Sequence, residues 1–532
     1  MIRLRTFDEQ DSTRLAAVNR EFDGVGCDVE HKHEDARVFD GAALNSRPNF
    51  IELPLVTCLV IALVFVLSAG AALAQDRPNI ILVIADDVSW NDIGAYGHPT
   101  IRTPVLDGLA ARGIRFDNAY LTASSCSPSR ASILTGRYPH NTDAEQLHWP
   151  LPAEQTTFSE KLREAGYWAA AAGKWHLGPQ VLDRFDVVYE SVWNVGDEVA
   201  PSGMEDWLRL LDERPRDKPF FLWLAAWDAH RPYSEGAVAE PHGKDDIQLP
   251  PYYPATEHYL EDFAQYYDEI SRLDQVIGEV VAKLEEQGIA DNTLIVFIAD
   301  NGRPYARDKA TLYDSGVKTP LIVYWPDKVA PGGISQSIVS AVDIAPTILE
   351  LADAPIPASV DGRSFVDLLT KPEKKFRSFA VSERHWHDFE DHGRSIRTLR
   401  YRYLRNNYFD LAATPSGDTV YHSTWTELVR LYRQGNLTTD QSRPFLSPRP
   451  REELYDLASD PFELENLAND PEYGGVLAQH REMLDTWIEA SDDFIPSVRT
   501  PDEFDRETGA RLPTRIRPRP SKKDMFDATG AY

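Results

Sequence analysis

Cysteine is scarce in this chain of 532 residues, which has only three, at positions 27, 58 and 126. If residues 1–74 are removed as a targeting segment, Cys126 is the only one that remains. A single cysteine cannot form an intramolecular disulfide, and an exported protein has little use for an unpaired thiol. The scarcity argues against a disulfide framework, so Cys126 is either chemically important or a small buried apolar side chain.

Basic residues are also in deficit, because 55 lysines and arginines face 84 acidic residues and leave a net charge of −29. This balance argues against a nucleic-acid partner bound by phosphate neutralisation. It leaves room for a small anionic substrate, since binding depends on the local field inside a cleft. The apolar content of 42% and the 12 tryptophans predict a folded protein with one large or two moderate domains.

Long apolar runs are absent except at residues 53–74, which end in Ala72-Leu73-Ala74 before Gln75. This small-x-small ending is typical of a signal-peptidase site. We therefore expect residues 51–74 to be a signal peptide and the protein to be exported, periplasmic or secreted, after cleavage near Ala74. An uncleaved membrane anchor stays open as the alternative, because about 20 apolar residues can span a bilayer. Residues 1–50 are mostly polar and are expected to form a poorly structured extension.

Two apolar, β-rich runs, at residues 79–85 and 293–299, carry no polar interruption. Such strands are typical of a sheet that helices cover on both faces. Further strands are predicted at 220–225 and 321–325, alternating with helical patterns at 105–112, 158–165 and 259–287. The order predicts an α/β sandwich with a large, mainly parallel sheet, in which ligands gather at the carboxyl ends of the strands.

The chain changes character near residues 371–375, which we interpret as a linker. We expect a catalytic domain at 75–372 and a smaller α+β subdomain with a short antiparallel sheet at 373–497. Within the subdomain, residues 395–405 predict one half-exposed strand, 453–457 another strand and 476–490 a closing helix. The tail at 498–532 is rich in proline and basic residues and is predicted to be flexible.

Acidic pairs follow both apolar runs, Asp86-Asp87 after the first and Asp300-Asn301 after the second. Three carboxylates clustered without a cation would repel one another and shift their pKa values. Oxygen donors without histidine or cysteine suit Ca²⁺ or Mg²⁺ better than zinc. Helix capping could explain one such pair, whereas two pairs at matching strand ends favour a metal site.

The motif around Cys126 reads Cys-Ser-Pro-Ser-Arg and is followed by Leu134-Thr-Gly-Arg137. Pro128 suits the first turn of a helix and Gly136 suits its C-terminal cap. Residue 126 is thus expected at a helix N-terminus, where free N–H groups and the helix dipole favour anions. Arg130 can turn back towards that site, although a surface position is the more common fate of an arginine.

This run, Cys-x-Pro-x-Arg-x-x-x-Leu-Thr-Gly-Arg, resembles the signature of the type I, formylglycine-dependent sulfatases of the alkaline phosphatase superfamily. The resemblance spans roughly residues 78–468 and is closest to heparan N-sulfatase and bacterial polysaccharide sulfatases. It implies an alkaline-phosphatase-like sandwich and hydrolysis of sulfate ester or N-sulfate groups of sulfated carbohydrates. It also implies that a formylglycine-generating maturation enzyme oxidises Cys126 to formylglycine (3-oxoalanine), and that the enzyme uses Ca²⁺, with Mg²⁺ possible.

The same resemblance assigns roles to individual residues. The implied metal ligands are Asp86, Asp87, Asp300, Asn301 and residue 126, and the implied catalytic residues are Cys126, Arg130, Lys174, His176, His230 and Lys309. In this scheme the lysines contact the sulfate, His176 lies beside the formylglycine hydroxyl, and His230 protonates the leaving group with help from Lys309. The segment after Lys309 departs from the family pattern, with Asp314-Ser-Gly316 in place of Glu-Gly-Gly.

Three histidines outside these motifs, His148, His385 and His387, could line sugar subsites or could be packed loop residues. Two other functions also stay open: a phosphonate monoester or phosphodiester hydrolase of the same superfamily, and an inactive carbohydrate-binding relative. The segment 173–178 and the C-terminal region favour a sulfatase over the first. Every expected catalytic position is filled, which disfavours the second. The sequence leaves the sulfated substrate and its linkage undetermined.

Overall fold

The structure is a computed structural model that describes residues 77–192 and 201–513. The predicted N-terminal extension and the predicted signal peptide or anchor lie outside the described residues. Among the helices in the described part, none combines the length and apolar character needed to cross a bilayer.

The larger sheet consists, within the described residues, of eight strands. These are β1 (Asn79–Ala85), β2 (Ile114–Tyr120), β3 (Trp168–Gly173), β4 (Val187–Glu190), β5 (Phe220–Ala225), β6 (Thr293–Ala299), β7 (Leu321–Tyr324) and β8 (Gly333–Ser340). Their order is β4-β3-β5-β1-β6-β7-β2-β8. Only β7 runs antiparallel to its two neighbours, which confirms a mainly parallel sheet.

Strand β1 lies near the centre of the sheet and every one of its residues is buried. Its side chains alternate between two apolar cores, one on each face, with Ile80, Leu82 and Ile84 in the first and Ile81, Val83 and Ala85 in the second. The predicted bounds of β1, β5 and β6 are confirmed to the residue, because strands buried on both faces show as unbroken apolar runs.

Helices cover both faces of this sheet, and the longest, α5 (Glu257–Glu286), turns its apolar side chains into the second core. The other helices before the smaller sheet are, within the described residues, α1 (Pro104–Arg112), α2 (Cys126–Thr135), α3 (Phe158–Glu164), α4 (Trp207–Glu213), α6 (Asp314–Val317), α7 (Ile344–Leu351) and α8 (Val366–Thr370). The helices predicted at 105–112, 158–165 and 259–287 are confirmed to within two residues at each end.

The smaller sheet is antiparallel, as predicted, and has the order β12-β11-β10-β9. Its strands are β9 (Ala380–Arg384), β10 (Gly393–Arg397), β11 (Tyr401–Asn406) and β12 (Glu452–Asp456), accompanied by helices α9 (Gly417–Val420), α10 (Ser423–Arg433) and α11 (Gly474–Ser491). Trp487 and Leu484 of α11 share an apolar core with Ile396 and Tyr403 of the sheet.

The prediction of one half-exposed strand at 395–405 is wrong. A turn, in which the Thr398 N–H donates to the carbonyl oxygen of Tyr401 at 3.0 Å, divides the segment into the hairpin β10–β11. Strand β10 is buried throughout. Its arginines tolerate burial because they are paired, Arg394 with Asp493 at 2.6 Å and Arg397 with Asp314 at 3.2 Å.

The prediction of a flexible tail from residue 498 is wrong for the part that the structure describes, up to residue 513. The Phe504 side chain is only 6% exposed, and its ring centroid lies 5.2 Å from that of Tyr421. The indole N–H of Trp386 donates to the carbonyl oxygen of Pro501 at 3.0 Å. The tail is rich in proline and basic residues, a composition typical of a flexible segment. Its composition does not reveal that one aromatic residue, Phe504, is buried against the subdomain.

Strand β9 connects the smaller sheet to the loop that leads into α2. The Glu383 N–H donates to the carbonyl oxygen of Thr122 at 2.7 Å, and the Ser382 hydroxyl donates to that of Leu121 at 2.6 Å. The C-terminal subdomain thereby supports the backbone immediately before Cys126.

Candidate active site

The carboxyl ends of β1 and β6 bring four predicted metal ligands together. The two strands are parallel neighbours in which Ala85 pairs with Ala299, so the residues that follow them meet. Asp86, Asp87, Asp300 and Asn301 are all completely buried. The Asn301 amide donates to Asp87 Oδ1 at 2.5 Å.

Cys126 is the first residue of α2, and its Sγ lies 3.7 Å from Asp86 Oδ1. The helix ends, as predicted, at Gly136, whose φ of 69° lies in the left-handed region. Burial raises the pKa of the Cys126 thiol well above its ordinary value. An unmodified thiol at this position is therefore protonated and weakly nucleophilic at neutral pH.

Three buried cations surround residue 126, namely Arg130, Lys174 and Lys309. Arg130 Nε donates to Asp300 Oδ2 at 2.8 Å, and Lys174 Nζ pairs with Asp86 Oδ2. Lys309 Nζ lies 2.8 Å from Asp87 Oδ1. Each of these cations is paired with a buried carboxylate, so they would become available to an anion once a metal ion neutralises the carboxylates.

Lys174 owes its position to the glycine that ends β3. Gly173 has a φ of +99°, and a Cβ atom there would lie 1.8 Å from the carbonyl oxygen of Ala225. Only glycine allows this close approach of β3 to β5. The next residue, Lys174, then reaches the site, with its Nζ 4.4 Å from the centroid of the Trp227 ring.

Two histidines face residue 126 from neighbouring strand ends. His176 has a φ of 56°, and its Nε2 lies 2.7 Å from His148 Nδ1. Burial and the nearby His148 hold the pKa of His176 well below its ordinary value. Burial and Lys309 lower the pKa of His230 to about 3. Both imidazoles are therefore held towards their neutral forms, in which one ring nitrogen carries a free lone pair.

The donor set fits a hard divalent cation. In the part of the chain that the structure describes, Asn301 Oδ1 is buried without a hydrogen-bond partner, as expected of an oxygen reserved for a ligand. Donor atoms of Asp86, Cys126 and Asp300 all lie within 4.8 Å of one another. Burial raises the pKa values of Asp87 and Asp300, so these carboxylates gain from a positive partner. Oxygen donors of this kind suit Ca²⁺ or Mg²⁺.

A cleft opens at residue 126 and is lined by most of the predicted catalytic side chains. Its lining residues include Cys126, Lys174, His176, His230, Lys309, His148, Trp227, Glu190, His387, Asp388 and Asp418. Two of the three histidines predicted as possible sugar contacts, His148 and His387, thus line the cleft. His385 is not among its lining residues, and its Nε2 lies 2.7 Å from Glu383 Oε2.

Two residues of the cleft that no motif contains, Asp418 and Trp227, contact the predicted catalytic groups. Asp418, on α9, lies with Oδ2 2.8 Å from Lys309 Nζ and 3.3 Å from His230 Nε2. In the sequence Asp418 is an isolated acidic residue in a polar segment, so no motif or periodic pattern indicates a functional role. Trp227 is the second residue after β5, and an aromatic residue near a strand end next to a histidine motif was a usable signal.

Comparisons with known proteins identify the family of this chain. The model of the family described as Sulfatase matches residues 78–354, which is more than half of the chain. A second model, described as N-sulphoglucosamine sulphohydrolase, C-terminal, matches residues 305–414. The chain is 30% identical over 472 residues to an ulvan-active sulfatase of Formosa agariphila, covering 79% of this chain and 76% of the relative.

The chain is also 30% identical over 495 residues to the N-sulphoglucosamine sulphohydrolase of Homo sapiens, covering 84% of this chain and 96% of the relative. A solved structure in complex with its substrate, D-glucosamine-2-N,6-O-disulfate, has a TM-score of 0.59 and 21% identity and covers 79% of this chain and 99% of that chain. The solved structure supports the fold. Together, the family model and the two relatives show that this chain belongs to the type I sulfatases of the alkaline phosphatase superfamily.

Proposed function

We propose that the protein hydrolyses sulfate groups of sulfated carbohydrates, with formylglycine made from Cys126 as its nucleophile. A divalent cation, Ca²⁺ or alternatively Mg²⁺, would be held by residue 126 together with Asp86, Asp87, Asp300 and Asn301. One observation carries the proposal: residue 126 lies at a helix N-terminus between buried carboxylates and buried cations. That arrangement can hold an anionic group and a metal ion side by side.

The modified residue and the metal would supply what the other side chains lack: an oxygen nucleophile with a second hydroxyl for release of sulfate, and charge neutralisation at the carboxylates. The chain's own cations bind the substrate. Arg130, Lys174 and Lys309 surround the position of the sulfuryl oxygens. Their preorganised charge stabilises the negative charge that develops on these oxygens as the bond to the leaving group breaks.

Proton transfer is divided between the two histidines. His176 is neutral and lies beside residue 126, so it accepts the proton of the attacking hydroxyl. His230 lies with Lys309 on the side of the leaving group. Its pKa of about 3 without substrate rises when an anion enters, because negative charge favours the imidazolium. The bound sulfate thus prepares His230 to protonate the leaving oxygen or nitrogen.

The walls of the cleft support a carbohydrate substrate. Trp227 offers an aromatic face, and His148, His387 and Asp388 offer polar groups to sugar hydroxyls. The relatives named above act on ulvan or on N-sulphoglucosamine, which directs the search towards sulfated glycans with either O-sulfate or N-sulfate groups. A formylglycine-generating maturation enzyme is the required partner. We further propose export after cleavage near Ala74, with a membrane anchor as the alternative.

A panel of substrates tests the proposal. Protein produced together with a maturation enzyme is offered sulfated mono- and oligosaccharides, and sulfate release and product structure are measured. We expect turnover of at least one sulfated sugar, whereas phosphonate monoesters and phosphodiesters in the panel test the alternative reaction. Binding of sulfated sugars without any turnover would favour an inactive carbohydrate-binding protein.

The control in this panel is Cys126→Ser. A serine can accept the sulfuryl group but has no second hydroxyl to expel it, so hydrolysis stalls after one event. We expect repeated turnover to be almost completely lost, because the variant stays sulfated after its first reaction. Near wild-type turnover by this variant would remove residue 126 from the mechanism.

A further inference from the structure

Asp418 reaches the active site from the C-terminal subdomain and contacts the two groups that serve the leaving group. Its Oδ2 lies 2.8 Å from Lys309 Nζ and 3.3 Å from His230 Nε2. We propose that Asp418 is a positioning residue that fixes Lys309 and His230 for transfer of a proton to the leaving group. This inference rests on the proposed sulfatase function and adds a residue that the motifs do not contain.

The backbone around Asp418 is built to hold this carboxylate in place. The Gly417 N–H donates to Asp388 Oδ2 at 2.7 Å, and a Cβ atom on Gly417 would lie 3.0 Å from the same oxygen. The Thr419 hydroxyl donates to the carbonyl oxygen of Pro304 at 3.2 Å. The Thr419 N–H donates to Asp418 Oδ1 at 2.9 Å. One carboxylate oxygen is thus used to orient the side chain, and the other faces the cleft.

Lys309 depends on Asp418 because its other partner, Asp87, is also a proposed metal ligand. Lys309 Nζ lies between Asp418 and Asp87, with a distance of 2.8 Å to each. Asp87 belongs to the proposed metal site, and a bound cation competes with the lysine for this carboxylate. Asp418 lies outside that ligand set and remains available to hold Nζ in position.

His230 is oriented from two sides. Its Nδ1 lies 2.5 Å from the carbonyl oxygen of Arg231, and its Nε2 faces Asp418 Oδ2. A neutral imidazole has only one N–H, so His230 donates to both oxygens only as the imidazolium, the form that protonates the leaving group. Without Asp418 only one of these oxygens remains, and the ring and the lysine both gain freedom to leave the geometry needed for proton transfer.

The negative charge of Asp418 distinguishes a positioning role from general structural support of the cleft. Asp418 carries a negative charge beside the cations that bind sulfate, so its carboxylate opposes anion binding. Neutralising it should slow turnover and yet leave the affinity for sulfate unchanged or higher. A variant that merely disturbs the fold would weaken turnover and sulfate binding together.

The test compares Asp418→Asn, Asp418→Glu and the control Asp440→Asn. Asp440 lies in the same C-terminal segment and is half-exposed, paired with Arg443 at 2.9 Å. For each variant kcat is measured on the best substrate of the panel, and inorganic sulfate is titrated as a competitive inhibitor. We expect kcat of Asp418→Asn to fall by about 10–100-fold with no loss of sulfate affinity, partial recovery in Asp418→Glu, and no change in Asp440→Asn. A kcat within twofold of wild type, or a matching loss of sulfate affinity, would overturn the inference.

A crystal structure of Asp418→Asn gives a readout that is independent of activity. We expect Lys309 Nζ to leave its position beside residue 418, and an unmoved lysine would contradict the positioning role. Failure of the proposed sulfatase function can be distinguished from failure of the positioning role. In the former case the wild-type protein itself would release no sulfate from any sugar.

Discussion

At the scale of single residues, the site is defined by buried charge and by local strain. Arg130 and Lys174 are paired with the carboxylates at the strand ends, and removing one partner from such a buried pair costs about 3–5 kcal/mol. Asp87, His148 and His176 have φ values of 59°, 65° and 56°, although they are not glycines. Such conformations cost about 1–2 kcal/mol each and concentrate at functional sites.

Asn301 gives the most direct residue-scale test of the metal site. We expect Asn301→Ala to lower the affinity for Ca²⁺ or Mg²⁺ by about 10–100-fold, because its buried Oδ1 is a ligand of the proposed cation. Metal content after dialysis and calorimetric titration of the metal measure this. Asn292→Ala is the matched control, since Asn292 lies at the opposite end of β6 and donates to the carbonyl oxygen of Arg77 at 3.0 Å. Wild-type affinity in Asn301→Ala would contradict the proposed ligand set.

At the scale of elements, the strands and helices that could be predicted are those whose ends are marked by neighbouring residues in the sequence. The ends of β1 and β6 were predictable because their apolar runs stop abruptly at acidic residues. Helix α2 was predictable from Pro128 and Gly136 at its two ends. Arg130, Lys174 and the histidines could be placed only through the family resemblance, since a lone cation or imidazole has no periodic pattern.

The elements that the sequence did not predict depend on contacts between distant segments. The hairpin β10–β11 buries arginines whose partners, Asp314 and Asp493, are distant in the chain. Asp418 enters the cleft only because α9 packs on the loop after β6. A hydropathy pattern predicts that such charged residues are exposed, because it does not include the oppositely charged partner that makes their burial possible.

His140 links three elements and predicts how stability depends on pH. Its Nδ1 lies 2.7 Å from Glu383 Oε1 on β9, and its Nε2 lies 3.0 Å from the carbonyl oxygen of Ser491 at the end of α11. Burial opposes the charged form, but Glu383 outweighs it and raises the pKa of His140 from 6.5 to about 9. Stabilisation is therefore complete below pH 6.5 and is lost as the pH rises through about 9.

The shift of the His140 pKa corresponds to roughly 3 kcal/mol. We expect the thermal midpoint of the wild-type protein to fall between pH 6.5 and 10, and His140→Gln to remove most of this alkaline decline. His480→Gln is the control, since burial lowers the pKa of His480 and leaves it neutral throughout this range. Equal alkaline declines in wild type and His140→Gln would refute the assignment.

At the scale of the whole molecule, the C-terminal subdomain completes a centre in which buried cations are paired with buried carboxylates. Strand β9 supports the loop before Cys126, and the segments around His387 and Asp418 form one wall of the cleft. The described part of the C-terminal tail belongs to the same unit, because residues 499–512 pack against the subdomain. The fold class was predictable from the alternation of strands and helices along the chain. The dependence of the active site on the C-terminal subdomain was visible only in the structure.

Truncation tests the structural role of the tail. Deletion of residues 499–532 removes Phe504 from its contacts with Phe389 and Tyr421, and loss of one buried phenylalanine alone costs about 3–5 kcal/mol. We expect a clear fall in the thermal midpoint. Deletion of residues 514–532 keeps these contacts and is the control. Equal midpoints for the two truncated proteins would show that residues 499–513 do not stabilise the fold.

We propose that residue 126 is formylglycine, not cysteine, in the active enzyme. Mass spectrometry of the peptide spanning residues 116–130, on protein made with and without a formylglycine-generating enzyme, measures this conversion. With that enzyme we predict a mass in which an aldehyde replaces the thiol of Cys126, together with sulfate release in proportion to the modified fraction. Full activity from protein whose peptide carries only unmodified cysteine would show that formylglycine is not the nucleophile.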